Sequence, residues 1–213
     1  MVARDYGQYD GITRGLELVG ERWALLIVRD LLVGPRRYGE LAAGLPRIPS
    51  NILAARLKEL QAAGIIRRAP RSRIILYELT PYGRELEPIV LALGAWGFKA
   101  MEDPRDEQIV TPDSMAISLR TAFQPQVAAA LPATAYGARF GEGGLLIRVE
   151  GPTLAVTRGD GPVDLAFASG PGLHRLISGE LAPARAIETG VVEVLRGPGD
   201  LLTRFASTFH LAA

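Results

Sequence analysis

Leucines recur at helical spacing in the stretch 51–62, which has the sequence NILAARLKELQA. Leu53, Leu57 and Leu60 fall at i, i+4 and i+7, so the pattern predicts an amphipathic helix with one buried face. A glycine at position 64 follows Ala62-Ala63, and glycine just past a helix is typical of a left-handed C-terminal cap. The opposite face has side chains small enough to let a partner approach the backbone, with one lysine: Asn51, Ala54, Ala55 and Lys58.

Three helices are predicted before this one. Asp10 caps the first, which ends at about Val19. The segment 21–33, ERWALLIVRDLLV, is apolar on almost all sides and predicts the central buried helix of its domain, with Trp23 in the core. A third, short helix begins at Arg36 and leads into the proline-stiffened turn LPRIP.

Two runs rich in β-branched residues follow, and they predict a hairpin. IIRR at 65–68 and IILYEL at 74–79 read as strands joined by the loop APRSR. A short helix, a turn, a second helix and a basic hairpin form the plan of a winged helix-turn-helix, which places one helix in the major groove of DNA. Four arginines surround the hairpin: Arg67, Arg68, Arg71 and Arg73. A solvated charged surface is the alternative explanation for this cluster.

The helix predicted from Pro81 to about Met101 has more apolar surface than one small domain covers. Such a helix packs against its copy in a dimer, or against a second domain of the same chain. Dimerisation fits DNA recognition, because a twofold protein reads a palindromic site. The polar, proline-bearing segment 102–112 is the predicted linker.

The second domain is predicted to be α+β. A helix that begins near Pro112 and is kinked at Pro125 precedes strand-like runs separated by glycine-rich turns. This order predicts helices on one face of a mainly antiparallel sheet. The chain is therefore expected to be multidomain. Residues 1–101 form a mostly α-helical winged helix-turn-helix domain with a dimerisation helix, 102–112 the linker, and 113–213 an α+β domain.

Charge divides along the same boundary. Residues 1–101 have a net charge of +5 and residues 102–213 a net charge of −4, within a total of +1. A basic part joined to an acidic part suits a polyanion-binding module attached to something else. The chain has no cysteine, which excludes disulfides, thiolate metal sites and thiol sensing. No apolar run approaches the roughly 20 residues of a membrane span, so the sequence predicts a cytoplasmic protein with no membrane partner.

Candidate DNA contacts fall on three predicted elements. The start of the short helix can meet a phosphate, the start of the second helix can meet bases, and the hairpin can lie along the backbone. A solvated turn is the alternative for the arginines at 36 and 37, and packing is the alternative for the tyrosine at 38. The residues are Arg36, Arg37, Tyr38, Ser50, Asn51, Ala54, Ala55, Lys58, Arg68, Arg71 and Arg73.

Catalytic and metal chemistry find little support. His174 and His210 are the only histidines and have no cysteine or paired carboxylates near them in sequence. No serine lies in a nucleophile-elbow context. The sequence therefore predicts no cofactor, no metal and no enzyme activity.

Three runs between residues 9 and 93 resemble a known family: LELVGERWALLIVRDLLVGPRRYGEL, SNILAARLKELQAAGII and YELTPYGREL. Together they closely resemble the HxlR-type winged helix-turn-helix regulators, which are dimeric bacterial transcription factors. The resemblance assigns the candidate DNA contacts above, except Lys58, to the first motif helix, the recognition helix and the wing. Many members have a cysteine where this chain has Asp10, and some sense oxidants through it. Asp10 and the lack of any thiol rule out that trigger.

The segment VDLAFASGPGLHRLISGELAPARAIETGVVEVLRGPGDLLTRFASTF is similar to the sterol carrier protein type 2 family. That resemblance implies a hydrophobic tunnel that holds an apolar small molecule; a filled core without a cavity is the alternative. The implied pocket residues are Leu119, Phe123, Val127, Phe167, Leu202 and Phe205.

A ligand-responsive, dimeric regulator that binds double-stranded operator DNA is the leading functional hypothesis. One rival is a lipid or small-molecule carrier whose winged helix contacts proteins. An enzyme that uses the pocket is the other rival, and the missing acid–base pair argues against it.

Overall fold

The computed structural model describes residues 5–105, 107–141 and 143–211. The chain folds into two compact units, with the boundary between Val90 and Leu91. The boundary falls inside a helix, whereas the sequence predicts a linker at 102–112, and that finer division stays a prediction. Within the described residues, no helix has both the length and the hydropathy needed to cross a bilayer.

The first unit has helices, then a hairpin, then helices again. Its elements are α1 (Gly11–Val19), α2 (Ala24–Val33), α3 (Tyr38–Gly44), α4 (Ser50–Ala62), β1 (Ile66–Arg71), β2 (Ile74–Leu79), α5 (Pro81–Arg84) and α6 (Glu87–Phe98), the last of which crosses the boundary. This is the predicted winged helix-turn-helix order. The helix predicted over 81–101 is divided in two, because residues 85–86 form a turn between α5 and α6.

The caps explain where α1 and α4 lie. The Asp10 carboxylate accepts hydrogen bonds from the N–H groups of Ile12 and Thr13, as the sequence predicts. At the end of α4, Gly64 has φ +71°, and the N–H of Ile65 donates to the carbonyl of Leu60 at 3.0 Å. That pattern is a Schellman cap, which only a residue tolerant of positive φ completes without strain.

Trp23 corrects two expectations. Its φ is +82°, a left-handed conformation that is rare for a bulky residue. Helix α2 therefore begins at Ala24 rather than at Glu21. The indole is half-buried instead of lying in the core, and the Arg22 guanidinium lies 5.3 Å from the ring centroid.

The leucines of α4 are buried as predicted, and the face that they form holds α4 against the core of the first unit. Leu53, Leu57 and Leu60 are each at most 2% exposed. Burying a leucine side chain contributes about 2 kcal/mol. The opposite face of α4 is left at the surface.

The hairpin β1–β2, called the wing below, is longer than the sequence predicts. Residues 69–71, expected in the loop, continue β1 and pair with 74–76, so Ser72 and Arg73 alone make the turn. Pro70 lies in β1, which pairs only with β2 among the described strands. A proline is tolerated there because an edge strand has no second partner that needs its N–H.

The second unit is an α+β arrangement with a mixed sheet. Its elements are α7 (Pro112–Ala122), α8 (Pro125–Ala129), β3 (Thr134–Phe140), β4 (Gly143–Glu150), β5 (Thr153–Arg158), β6 (Leu165–Ser169), α9 (Leu173–Ile177), α10 (Pro183–Glu188), β7 (Val192–Arg196) and α11 (Leu201–Thr208). The strand order is β5-β4-β3-β6-β7, and β3 runs parallel to β6 while the other pairs are antiparallel. Instead of one kinked helix, α7 and α8 are separate, because Phe123 and Gln124 leave helical geometry.

An aromatic cluster fills the core of the second unit. Ring centroids of Phe205 lie 5.2 Å from Tyr136, 5.1 Å from Phe167 and 4.7 Å from Phe209. Alternation along β3 puts residues 134, 136, 138 and 140 on the buried face. Edge-to-face and tilted ring contacts at these distances stabilise a core beyond simple area burial.

Replacing Gly83 by alanine should destabilise the first unit. A Cβ at Gly83 would lie 2.0 Å from the carbonyl oxygen of Ile65, which is backbone and cannot move aside cheaply. We expect Gly83→Ala to lower the free energy of unfolding by about 2–3 kcal/mol. Gly39→Ala is the matched control, because nothing lies within 4 Å of a Cβ there; it should be neutral or stabilise by up to about 1 kcal/mol. Urea denaturation of the full chain measures both, and equal stability of the two variants would contradict this packing.

Candidate nucleic-acid interface

The surface face of α4 presents the residues that the sequence selects. Ser50, Asn51, Ala54 and Lys58 are exposed, and Ala55 is half-buried. Pro49, which precedes the helix, offers no capping side chain to the first N–H groups. The amino end of α4 therefore keeps its partial positive charge available to an anion.

Arg36 and Arg37 are adjacent in sequence but have opposite environments. Arg37 is exposed at the start of α3. Arg36 is only 7% exposed and donates from Nη1 to the carbonyl of Pro35 at 2.9 Å. Its backbone forms a two-way bridge with Tyr77, through hydrogen bonds of 3.0 and 2.7 Å. Arg36 is thus largely buried in the fold, and its role as a phosphate contact stays a prediction.

The hydroxyl group of Tyr38 is also engaged in a hydrogen bond within the fold. Its hydroxyl donates to the backbone carbonyl of Ser50 at 2.9 Å and so joins α3 to the first residue of α4. A phenol has one proton to donate, and in this geometry that proton is not available to a phosphate. Tyr38 therefore fixes the amino end of α4.

The wing arginines divide into two groups. Arg67 Nε lies 2.7 Å from a carboxylate oxygen of Glu78, and Arg71 lies 3.9 Å from the other oxygen. Arg68 and Arg73 are exposed, and neither has an ion-pair partner in the part of the chain that the structure describes. Arg68 and Arg73 are therefore the wing arginines that no described carboxylate pairs with.

The charge of this region favours a polyanion. Residues 36–79 contain nine lysines and arginines against three glutamates. Glu78 is almost fully buried and pairs with Arg67, so the charges of these two residues offset each other. The segment has a net charge of +6, which suits a polyanion partner.

Most of the candidate ligand residues of the second unit lie in its packed core. Four are fully buried, namely Leu119, Phe167, Leu202 and Phe205. Phe123 is half-buried and stacks on Phe209 at 5.9 Å, while Val127 is exposed. Two open cavities, of about 450 and 620 Å³, are lined by other residues. An apolar tunnel through these six side chains stays a prediction.

Metal chemistry has no assembled donor set in the described ranges. No group of three histidine, aspartate or glutamate side chains there could hold a metal ion. His174 faces the carbonyl of Pro171 at 2.9 Å through Nδ1, and that nitrogen donates because a carbonyl only accepts.

Two contacts that hold α4 escape sequence reasoning. One is the Tyr38 hydrogen bond to Ser50, and the other is an ion pair between Arg56 of α4 and Glu21, with 3.1 Å between Nη1 and Oε2. Both join residues far apart in sequence, so no local periodicity or cap pattern signals them.

Comparisons with known proteins match the first part of the chain. The model of the HxlR-like helix-turn-helix family matches residues 18–105. The HTH-type transcriptional regulator Rv3095 of Mycobacterium tuberculosis is 40% identical over 114 residues, which span 52% of this chain and 66% of the relative. YvaP of Bacillus subtilis, also described as an HTH-type transcriptional regulator, is 36% identical over 86 residues, or 39% of this chain and 80% of the relative. The crystal structure of the regulator ytcD aligns with 43% of this chain and 97% of its own, at 36% identity and a TM-score of 0.41.

The neighbouring arginines allow a direct test of the two environments. Arg36→Ala should lower the free energy of unfolding by about 1–3 kcal/mol, because it removes buried packing and a hydrogen bond. Arg37→Ala should stay within about 0.5 kcal/mol of the wild type, as is usual for an exposed side chain. Chemical denaturation of both variants without DNA is the measurement. Equal, wild-type stability would contradict the buried environment of Arg36.

Proposed function

The chain belongs to the HxlR-like helix-turn-helix family, a family of transcriptional regulators, and on that premise we propose that it binds operator DNA as a homodimer. The single observation that carries the proposal is the placement of α4. Its leucines are buried, its amino end is uncapped, and its small and polar residues are exposed. That geometry suits insertion into the major groove.

Base recognition falls to the amino end of α4 in this proposal. Asn51 offers a bidentate amide of the kind that pairs with adenine, and Ser50 offers a hydroxyl to either base of a pair. Ala54 and Ala55 allow the backbone to approach the base edges. A good bidentate contact contributes about 1–3 kcal/mol of discrimination between sites.

Phosphate contacts fall to the exposed cations. Arg37 lies at the start of α3, Lys58 on α4, and Arg68 and Arg73 on the wing. Such contacts give affinity that does not depend on base sequence and that falls as salt rises, because binding releases counterions. Arg67 contributes less in this proposal, since Glu78 compensates its charge, and Arg71 lies 3.9 Å from the same carboxylate.

An exposed apolar stripe on α6 supports pairing with a second copy. Ile89, Leu93 and Trp96 lie at i, i+4 and i+7, and Trp96 is 73% exposed. Helix α1 adds a similar surface with Ile12 at 78% and Leu16 at 50%. Apolar stripes of this size on two helices mark an interaction surface, and a twofold partner matches two operator half-sites.

Regulation by an apolar small molecule is proposed from the sequence resemblance of the second unit to the sterol carrier protein type 2 family. The ring contacts in the core of that unit favour the filled-core alternative.

The division of the wing arginines predicts unequal effects on DNA binding. Arg68→Gln and Arg73→Gln should each weaken binding to all duplexes alike and reduce the salt slope by about 1, the loss expected for one phosphate contact. Arg67→Gln removes the same charge and keeps a hydrogen-bonding group beside Glu78, so its effect on the slope should be smaller. Fluorescence anisotropy with a labelled duplex over a series of KCl concentrations measures the slopes. Three equal slopes would contradict the division.

Charge placed on the apolar stripe should separate the dimer. Leu93→Asp introduces a carboxylate that a dimer interface would have to desolvate, so we expect this variant to sediment as a monomer while the wild type sediments as a dimer. Val127→Asp is the matched control, because Val127 is an exposed apolar residue on α8, outside the stripe. Analytical ultracentrifugation decides the question. A monomeric wild type, or a Leu93→Asp dimer, would refute the proposed interface.

A further inference from the structure

Arg56 links α4 to a corner of the chain that is distant in sequence. Its guanidinium lies 3.1 Å from the carboxylate of Glu21, in the connection between α1 and α2, and also contacts Glu59 one turn along α4. The Arg56 side chain is only 13% exposed. A guanidinium held this way between two carboxylates is unavailable to a phosphate.

Two energetically costly features lie where α4 meets this corner. Trp23, two residues after Glu21, has φ +82° without being glycine. Arg56 Nε is buried and has no hydrogen-bond partner among the described residues. Left-handed non-glycine residues and unsatisfied buried donors both cost free energy, and proteins retain them where the arrangement serves function.

Gly20 connects the corner to the end of α1. Its N–H donates to the carbonyl of Leu16 at 2.8 Å, and a Cβ at Gly20 would lie 2.5 Å from the same oxygen. Glu21 therefore directly follows the hydrogen-bonded end of α1.

Two polar contacts thus hold α4, in addition to its leucines. Tyr38 holds the first residue, and Glu21 holds a residue six positions later, about 9 Å along the axis. Apolar burial is non-directional and permits small rotations and shifts of a helix on its core. An ion pair with hydrogen-bond geometry is directional and removes that freedom.

We propose that Arg56 is a positioning residue: its ion pair with Glu21 sets the orientation of α4 at which Ser50 and Asn51 meet base edges. This inference rests on the proposed DNA-binding function and deepens it, because it separates sequence discrimination from affinity. Long flexible arginines keep their phosphate contacts when α4 shifts slightly. Short, directional base contacts do not. Loss of the pair should therefore reduce specificity and leave the sequence-independent affinity in place.

Glu21→Gln and Glu59→Gln make a matched pair of variants. Each variant removes one of the two carboxylate charges that face the Arg56 guanidinium, but only Glu21 lies outside α4. The probes are a duplex that the wild-type chain selects from a random pool and a duplex of the same composition in shuffled order. We expect Glu21→Gln to lower the ratio of selected to shuffled affinity about tenfold. Glu59→Gln should leave the ratio within about twofold, and the salt slopes of the two variants should be equal.

A double-mutant cycle separates positioning from loss of folding. In the Arg56→Gln background, Glu21→Gln should lower the ratio no further, since its partner is already absent. An additional loss in that background, or equal ratios for Glu21→Gln and Glu59→Gln, would overturn the inference while the DNA-binding proposal stands. A wild-type chain that binds no duplex at low salt would instead refute the proposed function itself. Thermal melting of each variant confirms that the folded chain is being compared.

Discussion

Burial of the leucine stripe of α4 is the constraint on which the rest of the first unit depends. Three leucines at i, i+4 and i+7 determine which face of the helix lies against the core. The same choice determines which face is exposed, so the identity of the surface residues follows from the positions of the buried ones. A shift of the stripe by one residue would rotate the helix by about 100° and bury Asn51 or Lys58 instead. The recognition surface that we propose on α4 is thus a consequence of core packing.

The elements that could be predicted from sequence are those fixed by local rules. Asp10 caps α1, the leucine period gives α4, Gly64 ends it, and alternating β-branched residues give the wing. Each of these features depends on residues within one or two turns of one another. Their physical causes, capping, burial of one face and the freedom of glycine, are visible in a single short window.

Non-local contacts account for what could not be predicted. Arg36 and Arg37 are indistinguishable in sequence, and a backbone bridge to Tyr77, some 40 positions away, places one in the interior and leaves the other outside. Trp23 reads as a core residue because it is large and apolar, yet its left-handed backbone moves it to a half-buried corner.

The second unit shows the same limit in a different form. Alternation along β3 and β4 predicts which side chains face inward, but it cannot tell whether facing side chains meet or leave a space between them. Phe167, Leu202 and Phe205 suit a tunnel and a filled core equally well by composition. Centroid distances near 5 Å show that the aromatic side chains are in contact. Whether a space remains beside them depends on how closely the helices pack on the sheet.

The wing and α4 each contain an arginine that is paired with a carboxylate and so kept from binding phosphate. In the wing, the buried carboxylate of Glu78 holds Arg67 against the sheet and so stiffens the hairpin, at the cost of one cation that could have met a phosphate. In α4, Glu21 holds Arg56 in the same manner and removes it from the surface. A surface arginine in water contributes little when paired, but a half-buried pair has fixed geometry. Both pairs therefore fix local geometry and offset one cationic charge each. Few cations without a carboxylate partner remain among the described residues of this region. In the interface that we propose, a modest number of phosphate contacts lie on the wing and at the start of α3, and the orientation of α4 does not depend on those contacts.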